Sequence, residues 1–415
     1  MTSVTTASCR CCGANLFHTF VDLGRSPLAN SYLTAEQLQQ TEPFYPLHTY
    51  VCGDCFLVQL ESVAKPEDIF SDYAYFSSYS DTWVEHARVY ADAVTERFGL
   101  NGQSRVIEIA SNDGYLLQFF VKKGVAVLGI EPAANVAQAA IEKGIPTLVQ
   151  FFNTDTAREL AGDGKRADLI IGNNVLAHVP DLNGFVRGMK ILLHDKGVIT
   201  LEFPHLMRLM EENQFDTIYH EHFSYFSLGT IRQYFKRHGL EIFDVDELPT
   251  HGGSLRVYAG HESDVSKPSS RRVDELLARE EKAGLTKLKY YLAFGERVKE
   301  TKRKFIDFLI AAKENRKSVV GYGAPAKGNT LLNYCGVGKD LIHYTVDRSP
   351  YKQGHFLPGT HIPIFSPDRI KETMPDFLLI LPWNLQNEIM DQMKFIRQWN
   401  GRFVVPIPEV RVYEK

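Results

Sequence analysis

From residue 105 onward, short apolar runs alternate with amphipathic stretches, and that alternation narrows the possible folds more than any other property of the chain. Residues 105–110 read as a buried strand, 115–123 as a helix, 126–130 as a strand and 135–143 as a helix; strands at 169–172 and 197–203 and a helix at 182–193 continue the order. Strands and helices in alternation build a parallel sheet covered on both faces. A helix at 231–238 and strand-like runs at 241–246 and 254–259 follow. Residues 261–272, rich in Ser, Lys and Pro, read as a linker. Beyond it lies a long charged amphipathic helix or helix pair, residues 273–315, with Leu276, Leu285, Leu288, Phe305 and Leu309 on its apolar face. A second alternation closes the chain, with strands at 318–322, 344–347, 377–381 and 403–405. Ahead of the first alternation, Trp83, Ala87, Tyr90, Ala91 and Val94 form a helical stripe that ends near Gly99.

At 415 residues the chain is too long for a single core of about 100 to 200 residues, so two or three domains are expected. The boundaries read as 1–72, 73–262 and 263–415. Lys and Arg number 46 against 50 Asp and Glu, and no dense basic run occurs, so nucleic acid is not an expected partner. The opening MTSVTTASCRCC lacks the basic flank and apolar stretch of a signal peptide, and no run approaches about 18 apolar residues; the expectation is a cytoplasmic protein with no membrane segment. Thiols stay reduced there, so six cysteines, five of them in the first 55 residues, point to a metal rather than to disulfides.

Cys9 and Cys12 form one Cys-x-x-Cys pair, and Cys52 and Cys55 form a second. Each pair can close a tight knuckle with two thiolates facing one ion, and two knuckles complete a tetrahedral zinc shell. Cys11 is the spare, although spacing alone leaves an exchange of Cys11 and Cys12 open, and four unpaired core cysteines are the plainer alternative. With all four positions supplied by protein, the zinc would be structural.

The run Val106-Ile107-Glu108-Ile109-Ala110-Ser111-Asn112-Asp113-Gly114 is an apolar strand that ends in small and polar residues before a helix. Such a turn lets backbone N–H groups approach a ligand at the strand ends. The next strand ends in Glu131, about twenty residues on, where an acid holds two ribose hydroxyls. Ala110, Asn112 and Gly114 do not provide the three glycines of a dinucleotide fingerprint. The pattern instead resembles class I S-adenosylmethionine-dependent methyltransferases, whose first strand reads hydrophobic-Glu-x-Gly, with Ala110 here replacing the glycine. Residues 167–179 resemble that family's next element, beside the methionine end of the donor. The resemblance implies that Glu108, Ala110, Asn112, Gly114, Glu131, Asn173 and Asn174 surround the methyl donor.

Between a strand ending at Pro204 and the helix at Ile231 lies Tyr219-His220-Glu221-His222-Phe223-Ser224-Tyr225-Phe226-Ser227. Three ionisable side chains in succession flanked by aromatics can form a proton-transfer group in a dry pocket, or a polar loop that packs its aromatics onto the domain. His-Glu-His is not the His-Glu-x-x-His spacing of a zinc protease. Together with both cysteine pairs, Pro27-Leu28-Ala29-Asn30, residues 73–78 and 108–114, His251-Gly252-Gly253-Ser254-Leu255-Arg256 and the loop 321–328, this block resembles the sugar C-methyltransferases that act on nucleotide-linked 4-keto-6-deoxyhexoses in deoxysugar biosynthesis. That resemblance implies a zinc-binding unit, a class I α/β methyltransferase core and a C-terminal Rossmann-like α/β unit, acting on a ketosugar carried by thymidine diphosphate. It further implies that His222 is the base that removes the C3 hydrogen, with Tyr219 and Glu221 tuning or relaying the proton and His178 and Tyr73 near the sugar oxygens. Ser254, Arg256 and Lys327 are the implied substrate contacts.

The loop Gly321-Tyr322-Gly323-Ala324-Pro325-Ala326-Lys327-Gly328, with Asp347 ending the next strand, can be read as a dinucleotide site or as a grip on the diphosphate of a sugar nucleotide. Three other readings stay open at this level: a sugar O- or N-methyltransferase, a non-catalytic sugar-nucleotide binding protein, and an RNA methyltransferase, against which the acidic balance argues. The oligomeric state is not legible.

Overall fold

A computed structural model describes residues 7–61 and 77–414. Strands within them form three sheets. The first, in the order β1-β2-β3-β9, pairs β1 (His18–Ser26), β2 (Tyr45–Val51) and β3 (Val58–Leu60) with the two-residue β9 (Ser224–Tyr225), all antiparallel. Cysteine knuckles and turns are expected in this region; the sheet itself escapes a sequence reading because β1 shifts register between Thr19 and Val21 and between Asp22 and Arg25, which breaks the alternation of period two.

The central sheet has the order β10-β11-β8-β7-β4-β5-β6, from β4 (Arg105–Ile109), β5 (Ala126–Ile130), β6 (Thr147–Leu148), β7 (Ala167–Asn173), β8 (Leu193–Pro204), β10 (Leu240–Leu248) and β11 (Ser254–His261). The pairs among β4 to β8 are parallel, and β11 runs antiparallel to both neighbours. Val106, Ile107 and Ile109 are buried on both faces of β4, which is why that strand reads as a continuous apolar run. This is the class I methyltransferase arrangement, and the chain order reverses beside β4, so a crevice opens at the carboxyl ends of β4, β5 and β7. The helix Asp81–Phe98 packs Ala87, Tyr90, Ala91 and Val94 against the sheet; Ser80 caps its first turn by accepting from Trp83 N, and Gly99 ends it at φ 63°.

The third sheet, β14-β13-β12-β15-β16-β17, comprises β12 (Val319–Tyr322), β13 (Thr345–Val346), β14 (Ile364–Phe365), β15 (Phe377–Ile380), β16 (Arg402–Val405) and β17 (Arg411–Tyr413); it is parallel except for β17. The helix Ala326–Cys335 starts directly after Pro325, whose fixed φ suits the helix entrance. The long helical region is three pieces, Arg271–Ala283, Leu288–Leu292 and Phe294–Glu314, interrupted at Gly284, which takes φ 107°. The expected linker shrinks to residues 262–270, because β11 runs through His261 and Ser270 N donates to Phe243 O at 2.7 Å. Among the described residues, no helix is long and apolar enough to cross a membrane.

Candidate active site and metal centre

The four sulfurs of Cys9, Cys12, Cys52 and Cys55 lie within 4.8 Å of one another, with Cys9 to Cys55 at 3.6 Å and Cys12 to Cys52 at 3.5 Å. Zinc–sulfur bonds of about 2.3 Å at tetrahedral angles place sulfurs about 3.8 Å apart, so the donor set fits that ion. Gly13 N donates to Cys9 O and Phe56 N to Cys52 O, closing the two knuckles, with Gly13 and Phe56 both at positive φ. The bond to Cys55 and burial push the Cys9 thiol up to about 12, and burial pushes Cys52 up to about 11. Four crowded thiols resist ionisation unless a cation takes up the charge. Cys11 lies outside the set, its sulfur 3.9 Å from the Arg237 guanidinium.

At the end of β4 the backbone turns through Ala110 (φ 57°), Asn112 (φ 49°) and Gly114 (φ 75°). Ala110 therefore holds the left-handed conformation that a glycine would adopt without strain, and a Cβ on Gly114 would stand 2.3 Å from Ile145 Cδ1. Glu131, at the end of β5, accepts from Asn112 N at 3.0 Å and Ala133 N at 2.9 Å. Glu108 is fully buried, and neither carboxyl oxygen has a partner among the described residues; Asn173 Oδ1 and Asn174 Oδ1 are likewise buried and unpaired. Burial, then the Glu131 and Asp113 carboxylates, hold Glu108 well above the usual carboxylate range. Unpaired acceptors around a buried acid suit the ammonium of S-adenosylmethionine, and the remaining lone pairs of Glu131 suit its ribose.

The block Tyr219 to Ser227 is placed where β9 joins the cysteine-bearing sheet, through Val58 opposite Tyr225 and Gln59 opposite Ser224. That pairing, with Phe223 N donating to Ala177 O at 2.7 Å, brings the turn at 219–222 against the segment bearing His178. His222 Nδ1 lies 2.9 Å from Thr217 O, and its ring packs edge-on to His178 (4.8 Å between centroids) and beside Tyr219 (4.1 Å). Burial, then the His178 ring, hold His222 well below the usual imidazole range; burial alone takes His178 down to about 4. Burial raises Glu221 to about 7 against a lowering bond from Asn30 Nδ2 at 2.6 Å. His220 turns away, onto Pro46 O at 3.2 Å.

Lys327 reaches this region from the third sheet: its ammonium donates to Asn384 Oδ1 at 2.8 Å and lies 4.5 Å above the Trp383 ring, and burial lowers it to about 8. Trp383 Nε1–H donates to Asp216 at 2.7 Å, next to the Thr217 carbonyl that holds His222. Ser254 donates to Thr250 O at 3.0 Å, and the Arg256 guanidinium pairs with Glu202 at 2.6 Å, lies 3.0 Å from His86 Nε2 and sits over the Tyr90 ring. Both residues are thus engaged within the protein, and the described structure does not bring them beside His222. Tyr73 lies outside the described residues. The sequence places Trp83 on a helical stripe and His251 in a matching segment, without singling out either as a site residue. The His251 ring packs edge-on to Trp83 (5.4 Å) and its Nε2 is 3.4 Å from Asn174 Nδ2, bridging the donor crevice and the acceptor side. The two glycines after His251 were the available signal, since a Cβ on Gly252 would meet Trp383 at 2.5 Å.

A C-methyltransferase C-terminal domain model matches residues 249–408, a methyltransferase domain model residues 83–245 and a zinc binding domain model residues 9–70. Over 407 residues the chain is 38% identical to C-methyltransferase NovU from Streptomyces niveus, spanning 97% of this chain and 96% of that one. The chain belongs to the C-methyltransferase family. As a member it is an S-adenosylmethionine-dependent C-methyltransferase with a zinc-binding unit, and the buried acceptors at Glu108 and the four-sulfur cluster are where those two groups fit. Ubiquinone biosynthesis O-methyltransferase from Bartonella tribocorum is 28% identical over 96 residues, which is 23% of this chain and 39% of that one. Magnesium protoporphyrin IX methyltransferase from Synechocystis PCC 6803, solved with bound SAM, aligns over 46% of this chain and 88% of its own at 17% identity, with a TM-score of 0.33.

Proposed function

We propose that this C-methyltransferase adds its methyl group to C3 of a 4-keto-6-deoxyhexose carried by thymidine diphosphate, through an enolate that His222 generates. The observation that carries the reading is the hydrogen bond between His222 Nδ1 and Thr217 O. A carbonyl can only accept, so Nδ1 carries the proton and Nε2 keeps a lone pair; burial keeps the ring neutral. A neutral imidazole of fixed tautomer in a dry, aromatic-lined site is a competent general base. A ketone at C4 acidifies the C3 hydrogen, and its removal gives a carbon nucleophile conjugated to the C4 oxygen. S-adenosylmethionine, when bound, supplies the electrophilic methyl.

Tyr219 packs against the base, and Glu221, buried and raised to about 7, exchanges the proton near neutral pH. Lys327 supplies positive charge on the substrate side, and its influence on both His222 and His251 supports that placement. We assign His178 and Tyr73 to the sugar oxygens, Ser254 and Arg256 to the wall supporting the substrate, and Glu108, Ala110, Asn112, Gly114, Glu131, Asn173 and Asn174 to the donor. Residues 1–72, 73–262 and 263–415 then act as zinc unit, donor unit and cleft-closing unit of a cytoplasmic enzyme of deoxysugar biosynthesis. The test pairs thymidine-diphosphate 4-keto-6-deoxyglucose with thymidine-diphosphate glucose, each incubated with donor and analysed by mass spectrometry. Methylation of the ketosugar alone is expected; equal methylation of the sugar lacking the ketone would move the acceptor to oxygen.

A further inference from the structure

The zinc-bearing sheet is joined to the acceptor side by more than β9. Asn30, in the loop after β1, donates from Nδ2 to Glu221 Oε1 at 2.6 Å across 191 residues of sequence. Glu221 Oε2 has no hydrogen-bond partner among the described residues. The loop bearing Asn30 is itself held from the third sheet: Asn329 Nδ2 donates to Ala29 O at 2.6 Å, and Tyr32 Oη donates to Ala324 O at 2.5 Å. At the next residue of the same helix, Thr330 Oγ1 donates to Ile218 O at 3.1 Å, fixing the start of the segment that carries Glu221 and His222. The helix Ala326–Cys335 therefore grips both loops whose side chains meet at Asn30 and Glu221.

We propose that Asn30 is a positioning residue for methyl transfer, its side-chain amide orienting the Glu221 carboxyl beside the turn that bears His222 and favouring its ionised form. This rests on the role given to Glu221 above. An N–H donor to a carboxylate stabilises the charged form, and among the described residues Asn30 is the side chain that lowers Glu221 against the burial that raises it. Among the described residues, the other titratable groups near Glu221 are Tyr32 on the same loop and His178, which lies against the Glu221 backbone carbonyl, with His222 next along the chain; Lys352 reaches the cluster from the third sheet, 5.1 Å from the Tyr32 ring. The zinc unit thus contributes chemistry to the site as well as support.

The test is an infrared pH titration of the zinc-loaded full-length protein, the Glu221 carboxyl band being assigned by its loss in Glu221→Gln. Asn30→Ala should raise the Glu221 midpoint by about one pH unit or more, and the isosteric Asn30→Asp further, because a second carboxyl then faces the first. At pH 7 the smaller ionised fraction should lower kcat about fivefold or more while the KM for the ketosugar stays within about twofold. Unchanged midpoints in both variants would overturn the proposal, as would a loss of activity that follows zinc content or melting temperature with the midpoint fixed. If Asn30→Ala fails to fold, Asn30→Asp alone decides by the same midpoint. A shifted midpoint in a protein that turns over no nucleotide ketosugar would keep the hold of Asn30 on Glu221 and remove the sugar reading.

Discussion

Glu108→Gln should stabilise the protein without its donor and weaken the donor's binding, and the opposite signs make the pair decisive. Glu108 is fully buried, with both oxygens unpaired and Glu131 and Asp113 raising it further. A carboxyl whose folded pKa lies above its unfolded value removes stability as pH rises from about 4.5 through the folded value, so at pH 7 the residue is a net cost. Gln matches its shape and removes the ionisation, so a gain of up to about 3 kcal/mol is expected at pH 7, from about 1.4 kcal/mol for each pH unit above the unfolded value. In the proposed placement, the donor's ammonium would meet the unpaired carboxyl oxygens of Glu108 in the wild type. A charge-assisted hydrogen bond of about 1.5 to 3 kcal/mol corresponds to a Kd weakened by roughly 10- to 150-fold in the variant. Because the ammonium favours ionised Glu108, wild-type binding should release a proton, and the calorimetric heat should vary with the ionisation enthalpy of the buffer; in the variant that dependence should vanish. Denaturant unfolding without donor and titration calorimetry with S-adenosylmethionine measure both halves. A variant that is less stable without donor and binds with unchanged Kd would refute the assignment of Glu108 to the donor's amine.

Zinc removal by a chelator, or Cys52→Ser, should abolish turnover as well as unfold the N-terminal sheet, since β3 of that sheet pairs with β9 two residues after His222; metal content by plasma emission, read against kcat, checks the coupling, and full activity without metal would contradict it. His178 and His251, each taken by burial from the usual 6.5 to about 4, have folded values below their unfolded ones, so the stability they contribute is present above pH 6.5 and lost as pH falls toward 4. Each should account for roughly 3 kcal/mol of that loss, and His178→Asn should flatten the pH dependence of unfolding by about that amount. Trp383→Phe, which deletes the bond to Asp216 beside the Thr217 carbonyl, should lower kcat more than it raises the KM for the donor, as steady-state kinetics would report.

Much of the donor crevice is legible in the sequence because it is local. β4 is buried on both faces and β5 at its carboxyl end, so their apolar runs mark them, and the acids Glu108 and Glu131 and the turn at 110–114 fall at fixed intervals along one stretch of chain. The replacement of the family glycine by Ala110 is visible too, although its φ of 57° is not. The acceptor side is another matter. Asn30 and Glu221, Lys327 and Asn384, and Asp216 and Trp383 meet across 191, 57 and 167 residues, and no periodicity encodes such pairs. β6, β14 and β9 have two residues each, too few for alternation to register. The ion pair of Arg256 is equally hidden from the sequence: its guanidinium lies against the buried carboxylate of Glu202, 54 residues away, which the histidine and arginine neighbours hold down to about 2 despite its burial.

The reaction itself is tested most directly by solvent deuterium exchange into the ketosugar, followed by mass spectrometry, with wild type beside His222→Asn and with S-adenosylhomocysteine in place of the donor. Wild type should exchange one hydrogen, at C3, and the variant, still folded and still binding S-adenosylhomocysteine, should lose that exchange by at least about a hundredfold. Exchange at C3 that survives in His222→Asn would remove His222 as the base, and methyl transfer with no exchange-competent hydrogen at C3 would contradict the enolate.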